Sequence, residues 1–290
     1  MGRVRVYLTL INRMKVLIFG GSGYIGGELI NRLLSYGYEV GNVSRRPVNI
    51  APVAEFSFDE DIESVLDRFE PQEIIYLSAC YNNENINEII DVNIRKPLEI
   101  IERIRRISNC NFTYIGSYWQ FGDATHKGCA IDAYSASKGA LVSFFDYYNT
   151  YTSVRCREIV LYGTYGEYDN RGKLLDYLLK MAKIGEKIEI TEGEQELNLS
   201  EVGEVCKVII EQFKNTKNNK IQIKSSSNYS PKQLVDIINK NINIEVEFGA
   251  IPYRDVELMN LWDNKDYESV IIQDKIEDYI RSKLLIPSKK

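Results

Sequence analysis

Residues 15–37 read KVLIFGGSGYIGGELINRLLSYG, and the order of residue types along them decides the fold. Residues 15–19 form a short apolar run, as expected of a parallel strand buried on both faces. Residues 27–36 space their apolar side chains helically, and Gly37 closes that helix as a C-cap glycine. Between strand and helix lie Gly20, Gly23 and Gly26, with Gly21 fitting the same spacing. Glycines there permit a tight turn and let the backbone approach a pyrophosphate, while the helix N-terminus presents oriented N–H groups. Ser22, Tyr24 and Ile25 belong to the same turn and are counted with it as cofactor-binding. No Gly-Lys-Ser/Thr follows, which excludes a P-loop.

Outward from this stretch, strand and helix patterns alternate. Strands are expected at 38–44, 73–79, 111–117 and 154–163, and helices at 59–70, 87–108 (kinked at Pro97) and 132–151. The alternation predicts βαβ units and a doubly wound parallel sheet of Rossmann type, an α/β fold. Residues 14–163 are read as the dinucleotide-binding domain. Residues 164–290 are read mainly as a smaller substrate-binding cap, with some segments returning to the core. In that part, 172–185 reads as a helix, and 187–191, 220–226 and 244–249 read as short strands. Ser230, Pro231 and Gln233 announce a helix through a capping box with proline at its first position. A last helix is expected near 272–284. Residues 1–13 are read as an extension, without the apolar core and cleavage site of a signal peptide.

Composition narrows the function. A net charge of −5, without long runs of either sign, gives no nucleic-acid footprint. No apolar run is long enough to span a bilayer. Five scattered cysteines without a CxxC pair read as reduced thiols of a cytoplasmic protein, and one histidine, His126, leaves little for a metal site.

Two positions define the chemistry. An acid at the end of the second strand would take a ribose 2′-OH. Here stand Ser44, Arg45 and Arg46, and a guanidinium forks onto a 2′-phosphate, so NADP(H) is favoured over NAD(H). Tyr134 and Lys138 sit one helical turn apart, where an ammonium can stabilise a tyrosinate and ready it for proton transfer at a carbonyl oxygen. Ser117, at the end of the preceding strand, is placed to hold that oxygen. Tyr279 and Lys283 repeat the spacing in the last helix, without a strand-end serine, and are read as a decoy. Tyr118 and Trp119 can wall a substrate pocket. Tyr81 and Lys173 are counted with them as substrate-contacting.

Taken in order, the glycine turn, YLSA (76–79), Asn93 within DVNIRKP (91–97), Ser117, Tyr134 and Lys138 resemble the extended short-chain dehydrogenase/reductase family, also called the NAD-dependent epimerase/dehydratase family. REIVLYGTYGEYDNRGKLL (157–175) and TEGEQ (191–195) resemble later segments of it. EFGAIPYRDVELMN (247–260) and DNKDY (263–267) are similar to its CDP-paratose and CDP-abequose synthases. The resemblance implies several things. Leu77, Ser78, Ala79 and Asn93 would serve the cofactor side, and Arg254 would meet a diphosphate. NADPH would reduce the 4-keto group of a CDP- or GDP-linked deoxysugar, a 3,6-dideoxy or 6-deoxy hexose or heptose, for surface polysaccharide. The helices bearing Asn93 and Tyr134 would pair in a homodimer.

Four residues depart from the family pattern: Leu197 and Asn198 replace an Arg-Asp pair, Thr164 a proline, and Val160 an asparagine. No acid follows Ser117, which argues against a 4,6-dehydratase. His126 and Cys129 leave a 3,5-epimerase/reductase as a lead. A 4-epimerase with bound NAD and a non-catalytic NADP-sensing protein remain the alternatives.

Overall fold

The computed structural model describes residues 13–106, 109–123, 125–215 and 217–285, so almost all of the expected N-terminal extension lies outside the described residues. The strands are β1 Lys15–Phe19, β2 Glu39–Ser44, β3 Ala54–Ser57, β4 Glu73–Tyr76, β5 Asn111–Ser117, β6 Cys156–Leu161, β7 Gly163–Tyr165, β8 Ile188–Ile190, β9 Leu197–Glu201, β10 Lys220–Ser225, β11 Asn228–Tyr229, β12 Val246–Phe248 and β13 Glu268–Ile272. The helices are α1 Tyr24–Ser35, α2 Ile62–Phe69, α3 Ile86–Ile90, α4 Lys96–Ile104, α5 Ala133–Ala140, α6 Val142–Tyr151, α7 Leu174–Ile184, α8 Val202–Glu211, α9 Pro231–Asn239 and α10 Ile276–Leu285.

Among the described residues, eight strands pair in the order β13-β10-β6-β5-β4-β1-β2-β3, every neighbour parallel. This is the doubly wound sheet expected. The chain runs outward from β1 in one direction through β3, then resumes at β4 on the other side. The β1/β4 boundary is therefore the switch point, where the carboxyl ends of strands open a crevice.

Successive residues of β1 serve opposite layers, as a strand's two-residue period demands. Val16 and Ile18 pack with Leu29, Ile30 and Leu33 of α1 and Val205 and Ile209 of α8. Leu17 and Phe19 pack with α2, α4 and α6 through Leu66, Ile101 and Phe145. Helix α1 ends in a Schellman motif: Gly37 has φ +84°, its N–H reaches the Leu34 carbonyl, and the Tyr38 N–H reaches that of Leu33.

Two smaller sheets, β11-β9-β7 and β12-β8, lie beyond β6. Leu178, Ile188, Leu234, Ile238 and Ile276 join α7, α9 and α10 to them in a further core. The capping box at Ser230 and Gln233 forms as expected. Strand 220–226 does not join these small sheets: β10 and β13 extend the main one, and α8 packs on α1.

The helix expected over 87–108 bends in a different way from the proline kink. Asp91–Arg95 forms a π-helical turn between α3 and α4. Pro97 has no N–H to give the Asn93 carbonyl, and that carbonyl instead accepts the Tyr114 hydroxyl at 3.0 Å. The helix expected over 132–151 is divided at Leu141 into α5 and α6.

Candidate functional site

The glycine turn is closed by its own backbone. Gly20 has φ +91°, in the left-handed region, and a Cβ on it would lie 2.8 Å from the Ser78 nitrogen. A Cβ on Gly26 would lie 2.6 Å from the Gly21 Cα, so the first turn of α1 can pack this close only as glycine. Gly23 caps α1 without a side chain, which leaves the first N–H groups of the helix open. Leu77 and Ser78 both donate their N–H to the Phe19 carbonyl, at 2.8 and 3.0 Å. With Ala79, they border the turn from β4.

Two residues that sequence reasoning missed brace this region. Asn42, wholly buried in β2, accepts the Gly21 N–H at 3.1 Å and donates to Ser44 Oγ at 2.9 Å and Glu55 Oε2 at 2.7 Å. Glu55 Oε1 in turn accepts the Val48 N–H at 2.9 Å. The Ser44 hydroxyl turns to the Arg46 carbonyl, and the side chains of Arg45 and Arg46 are left exposed. The glycine cradle, the open helix terminus and these exposed guanidiniums fit a dinucleotide.

Ser117, Tyr134 and Lys138 come together at the carboxyl end of β5. Ser117 ends that strand and caps the 3-10 turn Tyr118–Phe121, and its N–H donates to Gln120 Oε1 at 3.1 Å. Asp132 opens α5 through a capping box with Ser135. The Tyr134 N–H donates to Asn83 Oδ1 at 2.8 Å, and Asn83 is tied to Asp132 at 3.2 Å. The rings of Tyr134 and Tyr81 lie 4.8 Å apart. Burial pushes the Tyr134 phenol above its ordinary pKa, Tyr81 adds to the rise, and the approach of Ser117 opposes it.

Lys138 is 2 % exposed. Its Nζ donates to the Ile115 carbonyl at 3.0 Å and lies 4.3 Å from the Tyr114 ring centroid and 5.8 Å from that of Tyr134. Burial lowers its pKa to about 7, against an upward pull from Glu158. Asn93 is also fully buried. Its amide accepts the Cys80 N–H at 2.8 Å and donates to the Cys80 carbonyl and to Ser137 Oγ, so it orders the backbone beside Lys138 from behind. Tyr279 and Lys283 are engaged elsewhere: the phenol donates to the Gly166 carbonyl at 2.8 Å, and the ammonium pairs with Glu167.

A cavity of about 930 Å³ opens in front of Ser117, Tyr134 and Lys138, and Tyr81, Tyr118, Trp119, Lys173 and Arg254 all line it. Tyr118 stacks on Tyr162, with centroids 4.9 Å apart and planes at 15°. The Arg254 guanidinium lies 5.7 Å from the Trp119 centroid. Arg171 lines the same cavity, and nothing in its sequence setting marked it. Asp169 grips it (Nε to Oδ1 2.7 Å), its Nη2 reaches the Thr164 carbonyl at 2.9 Å, and it lies 4.2 Å over the Tyr24 ring. Arg171 and Arg254 together depress the pKa of Lys173, after the larger effect of burial. Three cations thus face one cavity.

Three of the four departures are accounted for locally. Thr164 accepts Arg171 through both its carbonyl and its hydroxyl. Asn198 is spent on Ser225, Ser227 and Asn228, which joins β9 to β10 and β11. Val160 packs with Phe121 and Tyr267. His126 has its side chain 73 % exposed beside Asp123, and neither it nor Cys129 lines the cavity.

The sequence profile of the NAD dependent epimerase/dehydratase family matches residues 16–223. The chain belongs to that family. It is 28% identical over 287 residues to a CDP-abequose synthase of Yersinia pseudotuberculosis, covering 93% of this chain and 99% of that one. It is 24% identical to a CDP-abequose synthase of Salmonella muenchen, over 87% and 90% of the two chains. Among solved structures, the UDP-glucose 4-epimerase of Thermotoga maritima with UDP-glucose superposes with a TM-score of 0.78 at 16% identity, over 93% of this chain and 97% of that one. The UDP-glucose 4-epimerase of Thermus thermophilus with NAD gives 0.76, also at 16%, over 93% and 98%. At such identity the likeness to these two family structures is one of fold.

Proposed function

We propose that this member of the family is an NADPH-dependent reductase of the 4-keto group of a nucleotide-linked deoxysugar, with a CDP-linked sugar first among the candidates. The observation that carries the reading is the meeting of Ser117, Tyr134 and Lys138 at the floor of a cavity walled by aromatic rings and three cations. The two CDP-abequose synthase relatives, matched along nearly the whole chain, support the sugar class.

When bound, the dinucleotide supplies a hydride to the carbonyl carbon. Tyr134 gives its proton to the carbonyl oxygen. Ser117 donates a hydrogen bond to that same oxygen and holds it in reach. The Lys138 ammonium stabilises the tyrosinate left behind. Tyr81, Tyr118 and Trp119 offer apolar faces to a sugar that lacks hydroxyls, and Arg171, Lys173 and Arg254 offer charge to its diphosphate. The glycine turn holds the dinucleotide's pyrophosphate.

Arg45 and Arg46 set the choice of dinucleotide. Reversing both charges (Arg45→Glu with Arg46→Glu) should raise the KM for NADPH roughly ten- to a hundred-fold, the worth of one or two charge-assisted hydrogen bonds. The KM for NADH should hardly move. Wild-type protein that prefers NADH would sink this assignment.

The protein is also proposed to act as a homodimer in the cytoplasm. Phe144, Tyr147 and Tyr151 line one face of α6 and are exposed, as are Ile86 and Ile90 on α3. Light scattering should read a dimer for the wild type and a monomer for Tyr147→Asp with Tyr151→Asp. An unchanged mass would exclude that face.

The reading as a whole is tested with NADPH and a panel of CDP-, GDP-, dTDP- and UDP-linked 4-keto sugars, the product C4 configuration being read by NMR. NADPH oxidation on a CDP-linked sugar is expected. Interconversion of C4 epimers by bound NAD, without external reductant, would assign a 4-epimerase instead. Tight NADPH binding with no turnover would make the protein a sensor.

A further inference from the structure

Behind the reacting centre lies a second set of buried polar groups for which the proposed reaction has no use. Glu158 in β6 is 1 % exposed and pairs in register with Tyr114 of β5. Its Oε1 accepts Gln120 Nε2 at 2.8 Å, and its Oε2 accepts the Tyr267 hydroxyl. Gln120 turns its other amide atom to the Ser117 N–H. The carboxylate therefore stands one side chain away from the strand-end serine. Gly116 leaves room for it: a Cβ there would lie 2.7 Å from Glu158 Oε1. The neighbouring Ile115 carbonyl takes the Lys138 ammonium. Two deeply buried groups of opposite charge thus border the same three residues of β5, 115–117.

A buried ammonium without a counter-charge tends to release its proton, and a buried carboxyl tends to keep its own. We propose that Glu158 is a positioning residue of this site: its charge keeps Lys138 an ammonium, and through Gln120 it braces the turn that carries Ser117. This rests on the reading of Tyr134 and Lys138 as the proton-donating pair. The groups that bear on Lys138 from each side are few. Tyr134 shares its helix, Tyr114 lies beneath it in β5, and Tyr81 stands beyond Tyr134. The Tyr118–Phe121 turn brings neutral Gln120, and the 91–95 turn brings neutral Asn93 through Ser137. Glu158 is the carboxylate acting on Lys138. Around Glu158 itself, burial raises the carboxyl pKa, and Tyr267, Gln120, Lys138 and Lys220 (which is also paired with Asp146) pull it back toward the ionised form.

The test separates charge from shape. Glu158→Gln keeps the shape and the bond accepted from Gln120, reverses the other so that the amide donates to the Tyr267 hydroxyl, and removes the charge, whereas Glu158→Asp keeps the charge in a shorter side chain. The Lys138 ammonium is followed by ¹³Cε-lysine NMR in cofactor-free protein, its signal assigned with Lys138→Arg. In Glu158→Gln, its titration should move down by about one pH unit, and in Glu158→Asp it should stay near the wild-type value. With NADPH and the CDP-linked 4-keto sugar, the alkaline limb of kcat should move with it, which lowers kcat at pH 8 about tenfold. Unchanged Lys138 titration in Glu158→Gln overturns the proposal, whatever the activity. If that variant does not fold, the wild-type Glu158 carboxyl is read directly by ¹³C NMR. An ionised carboxyl over pH 6–8 upholds the proposal, and a protonated one overturns it. Absence of turnover by the wild type would fall on the functional reading alone, since the NMR titration needs no substrate.

Discussion

Tyr134→Phe should lower kcat by about a hundred- to ten-thousand-fold, the usual contribution of a positioned general acid. The substitution takes away one oxygen and little else. The ring keeps its place against Tyr81, 4.8 Å away, and the backbone N–H keeps its bond to Asn83. Lys138 keeps its bond to the Ile115 carbonyl, so the proposed dinucleotide should bind the variant nearly as well as the wild type. The pH dependence of the unaltered protein follows from the same pair. Burial holds the phenol protonated well above neutrality, so the donor itself is present throughout that range. Lys138, brought down to about 7, loses its ammonium as pH rises through that value. The rate of reduction should therefore fall on the alkaline side of neutrality. Tyr279→Phe is the matched control, because it loses only the tie to Gly166 and should leave kcat within about twofold. Steady-state rates that fall equally in both variants would remove Tyr134 from the reaction.

The contrast between the two Tyr/Lys pairs shows what can be read from a sequence. Local spacing matches both. Order along the chain separates them, because a parallel sheet converts sequence order into position along one edge. The glycine turn, Ser117, Tyr134 and the capping box at Ser230 were legible because each is specified within a few residues. Strands of the second kind were not. Ala54–Ser57 is four residues long and alternates half-buried with exposed positions, too short a signal to rise above a loop. Glu268–Ile272 is an exposed edge strand whose place is set by pairing with β10, more than forty residues before it. Helix α8 follows β9 directly, and because Val208 and Ile210 are buried as well as Val202, Val205, Cys206 and Ile209, its apolar band is too wide to show a sharp stripe. The braces of the site escaped for a related reason. Asn42, Asn83, Glu55, Gln120 and Glu158 act through contacts 13 to 109 residues away in the chain, and a lone polar residue does not announce its partner. Arg171 differs: Asp169 and Thr164 hold it from nearby, and only the Tyr24 ring against it comes from the opposite end of the nucleotide fold.

The largest effect on stability is expected at Glu73, at the amino edge of the same sheet. Glu73, Thr113 and Arg157 stand on the adjacent strands β4, β5 and β6, all wholly buried. Arg157 Nη1 lies 3.1 Å from Glu73 Oε1 and 2.6 Å from Thr113 Oγ1, and the threonine hydroxyl donates to Glu73 at 2.6 Å. Burial pushes the Glu73 carboxyl up, against the pull of Arg157 and Thr113. Glu73→Ala would strand a guanidinium in the sheet, at a cost of about 3–5 kcal/mol. Thermal or urea unfolding should register this as a loss of roughly ten degrees in Tm. Replacing both partners by leucine should recover most of the loss, because the penalty comes from the uncompensated charge and not from the absence of the pair. A loss below about 1 kcal/mol in the single variant would mean that water reaches the guanidinium. Below its melting range, Glu73→Ala should keep its kcat, because the trio lies at the amino ends of strands whose carboxyl ends carry the site. Glu158 directly follows Arg157 and faces the other side of β6, as the two-residue period requires. One strand thus bears a charge that must stay paired and, beside it, a charge proposed to tune the lysine: unpairing the first should alter stability without the pH profile, and removing the second should alter the pH profile.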